Sequence, residues 1–204
     1  MSIMDTDALD QADMRRLVAG EATALDTLMD RHAGPIFQFL FRLTGEEDEA
    51  NDLAQETFLR LYRARASFRL GHRFSTWLYT IAGNLARTHL RWRSRHPRVS
   101  LDAESPATGQ TLADVLPSGS PSPLQDAESS ELHRAVRAAV QELPEDLREA
   151  LVLCEWEELS MAEAAAILGT TAKGIENRLC RARRLLRDRF AKVLASEQRA
   201  CQPG

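Results

Sequence analysis

The chain has 204 residues, of which 44% are hydrophobic and 27% charged, with a net charge of −4. That make-up belongs to a globular protein of one domain or two small ones and excludes a low-complexity chain. No apolar run reaches the length of a membrane span and the first residues lack the order of a signal peptide, so a cytoplasmic protein without membrane insertion is expected. Three cysteines (Cys154, Cys180, Cys201) share no CxxC spacing, which argues against a disulfide framework or a zinc site. Cys154 and Cys180 fall on apolar helical positions and are expected to be small buried hydrophobes. The total charge hides a division: residues 1–57 hold thirteen acids against four bases, while two later segments are basic. Such asymmetry points to two kinds of partner.

In chain order, residues 1–12 read as a frayed acidic tail. Met14–Ala19 and Ala22–Arg31 have helical periodicity, with Leu17, Val18, Leu25 and Leu28 expected inside; Ile36, Phe37, Leu40 and Phe41 continue the stripe after Pro35. GEEDEAN at 45–51 reads as an acidic break. Over 50–65 the spacing predicts a helix with Ala54, Thr57, Phe58, Leu61 and Tyr62 on one side and Asp52, Gln55, Glu56 and Arg63 on the other. The polar side is either a solvated face or a docking surface for a basic partner, and its residues alone favour the former.

Phe68–Arg98 follows, with Phe74, Trp77, Leu78, Ile81 and Leu85 at core spacing. The opposite face presents Thr80, Asn84, Arg87, Thr88 and Arg91, then Arg93, Arg95 and Arg98. Between Arg87 and Arg98 there are five arginines and no acid, with Trp92 among them. Arginine interleaved with aromatic and amide groups suits the gripping of phosphates and the stacking of exposed bases. Ser100–Glu131 holds four prolines, six acids and no Lys or Arg, which is the composition of a linker. Leu132–Leu143 and Glu145–Glu157 read as two helices hinged at Pro144.

Leu159–Phe190 reads as a helix, a tight turn and a basic helix. Ser160 and Glu163 form a capping box, Ala164, Ala165 and Leu168 make a small apolar face, and Gly169 stops the helix. Thr170 and Thr171 offer a second cap, and Ile175, Leu179 and Leu186 give the second helix its stripe. From Lys173 to Lys192 there are eight Lys/Arg against Glu176 and Asp188, a balance of +6. A basic helix set after a capped small-residue helix suits a major groove.

Two basic helical blocks joined by an acidic linker resemble a bacterial sigma factor, the small extracytoplasmic-function group above all. The resemblance rests on DLAQETFLRLYR at 52–63, FSTWLYTIAGNLARTHLR at 74–91, LPEDLREALVL at 143–153, LSMAEAAAILG and NRLCRARRLL, in that order. It implies an all-α fold: a flexible tail at 1–12, a region 2 bundle at 13–98, a linker at 99–131, a region 4 helix-turn-helix at 132–192 and a tail at 193–204. It implies that Asp52, Gln55 and Glu56 dock on the clamp helices of the largest subunit of core RNA polymerase. Asn84, Arg87, Arg91, Arg93 and Arg95 would hold the start-proximal (−10) promoter element. Thr171, Lys173, Glu176, Arg178, Arg181 and Arg184 would read the upstream (−35) element, with this domain near the polymerase flap region. The linker would thread toward the RNA exit path, and an inhibitory anti-sigma factor would be a further partner.

The chain departs from the family at Gly174 and Glu176, where Thr and then Lys are frequent. Glycine costs about 1 kcal/mol of helix propensity against alanine, and glutamate repels phosphate but accepts a hydrogen bond from cytosine. No His/Asp/Ser, HExxH or Gly-rich phosphate motif is present, so no enzyme activity, metal or cofactor is expected. The rival is a helix-turn-helix regulator that binds DNA as a dimer without polymerase.

Overall fold

The structure, a computed structural model, describes residues 3–96 and 134–200, with side chains placed over 6–96 and 134–191. The described residues are all-α, with no strand among them. They form two compact units, within residues 1–118 and 119–204. The stretch 97–133, with Arg98 and the expected linker, and the residues after Ala200, with Cys201, lie outside the described residues.

The first unit is a bundle of α1 (Ile3–Val18), α2 (Thr23–Thr44), α3 (Glu47–Ala64) and α4 (Phe74–Arg95), with a 3-10 turn at Arg65–Ser67. Its core is the set of apolar residues at three- and four-residue spacing: Met14 and Leu17, then Leu28, Ile36, Phe39, Leu40 and Leu43, then Leu61, then Phe74 and Leu78, each at most 1% exposed. Helix α2 runs unbroken through Pro35. Proline forfeits one backbone bond there, and the buried stripe on both sides holds the helix together.

Three readings of this unit need correction. The tail assigned to 1–12 is helical from Ile3, and Asp10 is 2% exposed. Arg31 pairs with both Asp10 and Asp13, and His32 Nε2 stands 2.9 Å from each Asp10 oxygen. Asp10, one of the acids that gave the stretch the composition of a tail, fastens it to α2, and Asp13 just beyond adds a second tie. Arg16 adds Asp13 at 2.8 Å and Glu21, whose carboxyl it holds below the ordinary range through their hydrogen bond. The acidic break is shorter than 45–51: α2 ends at Gly45 and α3 begins at Glu47, where acids in a first turn favour the helix. Val18 is 46% exposed, outside the stripe expected to bury it.

The second unit contains α5 (134–141), α6 (Glu145–Glu155), α7 (Met161–Leu168) and α8 (Ala172–Ala200). Arg148 donates to the side chain of Gln141 at 2.9 Å and to the carbonyls of Gln141 and Leu143, closing the open end of α5. Leu147, Ala150, Val152 and Leu153 from α6 meet Ala164 and Ile167 from α7 and Ile175, Leu179 and Ala182 from α8. Ile167, rather than Leu168, completes the small face of α7. Helix α8 continues to Ala200, so the tail expected at 193–204 starts later. Cys154 is half-buried, and burial pushes its thiol above the ordinary range, whereas Cys180 is exposed, against expectation.

Candidate nucleic-acid interface

Helix α4 places most of its expected DNA residues on one open face. Asn84, Arg91 and Arg95 are exposed and Arg87 is half-buried. Arg87 Nη2 donates to Asn84 Oδ1 at 2.6 Å, and Arg91 Nε donates to the Arg87 carbonyl at 3.2 Å. These contacts orient the amide and the guanidinium without burying either. Trp92, 52% exposed, stacks on His96 with ring centroids 5.0 Å apart.

Arg93 does not join that face. Its Nη1 donates to Glu49 Oε2 at 2.8 Å and its Nη2 to the Thr44 carbonyl at 3.2 Å. Glu49 is 7% exposed, and His89 Nε2 stands 2.9 Å from the same carboxylate oxygen. A buried carboxylate requires a cation, and Arg93 supplies it. Arg93, expected among the DNA contacts, is therefore a strut between α3 and α4.

Two grooves flank α4. One, of about 390 Å³, is lined by Ser67, Phe68, Arg69, His72, Arg73, Thr76, Trp77 and Thr80. The other, of about 430 Å³, is lined by Arg60, Arg63, Ala64, Trp77, Ile81 and Asn84. Trp77 belongs to both. Trp77 and Ile81, expected in the core, are only partly buried and stand in the walls of these grooves.

On α3, Asp52 and Gln55 are exposed, and Glu56 is half-buried and accepts from Arg60 Nε at 2.7 Å. Leu59 shares their face and is 42% exposed. A singly exposed leucine is ordinary on a protein surface and does not by itself mark a docking face.

In the second unit, Ser160 and Glu163 form the expected capping box, and Gly169 turns the chain at φ +63°, a conformation costly for other residues. The Gly174 N–H donates to Thr171 Oγ1 at 3.1 Å, so Thr171 caps α8. Gly174 has a steric reason to be glycine: a Cβ there would stand 2.6 Å from Thr170 Oγ1. Lys173 Nζ donates to Glu176 Oε2 at 2.8 Å, both side chains being exposed.

The basic run on α8 is partly neutralised within the unit. Arg178 Nε lies 3.7 Å from Asp146, Arg183 pairs with Glu155 at 2.5 Å, and Arg189 pairs with Glu142 at 2.5 Å. The hydrogen bond that Arg183 donates to Glu155 raises its pKa further above the ordinary value. Arg178, expected to reach DNA, is only 26% exposed and leans toward α6. Arg181 and Arg184 remain exposed, as does Arg187. With Lys173 and Glu176, Arg184 and Arg187 recur at helical spacing along one outer face.

The Sigma-70 region 2 family model matches residues 28–96, and the Sigma-70 region 4 model matches residues 133–186. The RNA polymerase sigma-H factor of Pseudomonas aeruginosa is 36% identical over 184 residues, covering 88% of this chain and 93% of that one. The ECF RNA polymerase sigma factor SigW of Bacillus subtilis is 34% identical over 175 residues, covering 85% and 92%. This chain belongs to the extracytoplasmic-function sigma factors. The fold agrees: the sigma factor RpoE of Bartonella quintana, solved with the anti-sigma factor NepR, superposes with a TM-score of 0.59 at 27% identity, covering 80% of this chain and 94% of that one.

The sigma factor is thus a transcription initiation factor, and each matched region takes in one of its two basic helices, the second in part. Among the described residues, no helix is long and apolar enough to cross a membrane. Sequence reasoning missed the grooves beside Trp77, the exposed Leu59 and the outward Arg187. Only Arg187 had a sequence signal, since it repeats the spacing of Arg184.

Proposed function

We propose that this sigma factor brings core RNA polymerase to promoters with both basic helices and opens the duplex at the groove beside Trp77. The observation that supports this most is the pairing of an open Asn84–Arg87–Arg91 face with base-sized grooves on the same helix. Arginines on that face hold the backbone of the −10 element, while an unstacked base exchanges neighbour stacking for contact with Trp77. Asn84 lines the second groove and offers an amide to a base edge; Arg95 extends the phosphate track. Arg93 acts through Glu49 by fixing the end of α4.

In the second unit, Thr171, Lys173, Glu176, Arg181 and Arg184 face the −35 element. Glu176 accepts from a cytosine amino group while Lys173 screens it from phosphate. Asp52, Gln55 and Glu56, with Leu59 among them, dock on the clamp helices, and the second unit sits near the flap region. Polymerase then holds both modules at one spacing, so the second DNA contact becomes intramolecular. The factor has no catalysis of its own and acts in the cytoplasm. The acidic stretch at 99–131 threads toward the RNA exit path. As the Bartonella relative does, this factor meets an anti-sigma partner.

The decisive experiment adds the purified factor to sigma-free bacterial core polymerase, follows co-elution and then scores run-off transcription from a promoter library. Stable association with selective initiation is expected. Tight DNA binding without polymerase, and no association, would establish the dimeric regulator instead.

Two substitutions test the site. Asn84→Ala is expected to slow opening of a duplex promoter while leaving closed-complex affinity within about twofold. Equal losses on duplex and pre-melted promoters would remove Asn84 from base capture. Arg181→Ala is expected to lower affinity across sequences and to reduce the slope of log K against log salt by roughly 0.9, one phosphate's worth. Arg178→Ala, its charge turned toward Asp146, is expected to change that slope less. A larger change at Arg178 than at Arg181 would reverse the assignment.

A further inference from the structure

Helix α1 precedes residue 28, where the region 2 match begins, yet it reaches the groove that the proposed opening step uses. Gln11 on α1 spends both ends of its amide on the loop before α4. Its Nε2 donates to the His72 carbonyl at 2.5 Å, and its Oε1 accepts from the Gly71 N–H at 3.4 Å, across 61 and 60 residues of sequence. Between them the chain turns through Gly71 at φ +96°, and the His72 N–H closes the turn on the Arg69 carbonyl at 3.1 Å. Phe68, Arg69, His72 and Arg73 form one wall of the 390 Å³ groove, and Thr76, Trp77 and Thr80 on α4 form the other. Phe68 anchors the start of this loop against Phe74 and Trp77, and beyond it the loop is held by backbone bonds, two of which come from another helix. Helix α1 is in turn fixed to α2 by Asp10 and Asp13 on Arg31 and His32. The His32 ring lies 5.1 Å from that of Phe74, the first residue of α4.

We propose that Gln11 is a positioning residue for promoter opening: it sets the distance between the 68–73 wall and Trp77, and so the fit of the unstacked base. The proposal rests on the reading of that groove as the base-capture site. Loss of the clamp leaves the loop free to widen the groove without disturbing the polymerase-docking face on α3 or the arginines of α4. Opening and closed-complex formation therefore separate.

The test uses the full chain assembled with core polymerase on a promoter carrying 2-aminopurine in the non-template strand of the −10 element. Gln11→Leu keeps the bulk and removes both bonds; Gln11→Glu keeps the acceptor for Gly71 and sets a carboxylate oxygen against the His72 carbonyl. Both are expected to slow opening about three- to tenfold, the worth of one ordinary hydrogen bond. They are also expected to weaken capture of a pre-melted −10 strand, with closed-complex affinity unchanged and the thermal midpoint lowered by no more than the few degrees that one hydrogen bond is worth. Gln11→Met is the second variant should leucine lower the midpoint further. A merely structural role predicts equal losses in closed and open complexes, which would overturn the proposal. Arg69→Ala and Trp77→Leu test the groove itself. If they impair opening and the Gln11 variants do not, the positioning role fails and the groove reading stands; if none impairs opening, the groove reading itself fails.

Discussion

Phe74→Ala should destabilise the N-terminal unit by about 3–5 kcal/mol, the usual cost of deleting a buried aromatic ring. Phe74 is fully buried at the first turn of α4, with ring centroids 5.1 Å from His32, 6.1 Å from Phe68 and 6.4 Å from Trp77. It joins α2, the loop wall and the groove-lining tryptophan, so the cavity left behind has neighbours on several elements and collapses poorly. Small domains are stable by roughly 5–15 kcal/mol, so the loss is a large fraction of what holds this unit folded. Urea denaturation followed by tryptophan fluorescence should show the midpoint assigned to Trp77 and Trp92 fall sharply. The transition reported by Trp156 in the second unit should stay in place. A loss under about 1 kcal/mol would mean that the α2–α4 packing described above is wrong.

The second large effect concerns polymerase. Reversing two charges on α3, Asp52→Lys with Glu56→Lys, should weaken binding to core polymerase by on the order of a hundredfold or more, because like charges set face to face cost several kcal/mol. Asp52 is exposed and Glu56 half-buried on the face that also shows Leu59, and neither side chain supports the core. The thermal midpoint and DNA binding by the C-terminal unit should therefore survive. Glu56→Lys also loses the bond from Arg60, worth a few tenths of a kcal/mol on a helix surface, far less than the expected effect. Retained polymerase binding by the doubly reversed variant would sink the docking assignment and leave this face merely solvated.

What the sequence revealed about this sigma factor follows the range of the interactions involved. The helix-turn-helix was legible because its signals are local: Ser160 and Glu163 are three residues apart, Gly169 follows at once, and Ile175 and Leu179 sit one turn apart. The fates of Arg93 and Arg178 were not, because each depends on an acid 44 or 32 residues earlier in the chain, Glu49 and Asp146. Residues 1–12 read as a tail on the strength of their acids, and the burial of Asp10 among them is intelligible only beside Arg31 and His32. Periodicity assigns Trp77 and Ile81 to the core, since a helical wheel has no knowledge of where the neighbouring elements stop covering the helix. The grooves are therefore a property of packing that no window of the sequence contains.

Helix α7 is eight residues long, well short of the roughly 12–15 that an isolated helix needs to persist in water. Its capping box and its three buried side chains hold it only while α6 and α8 are docked around it. The turn at Gly169 is thus held by tertiary packing rather than by helix propensity, and undocking of α6 or α8 would release α7 with it. Exchange protection of the α7 amides therefore reports the docking of α6 and α8 rather than the strength of α7 itself.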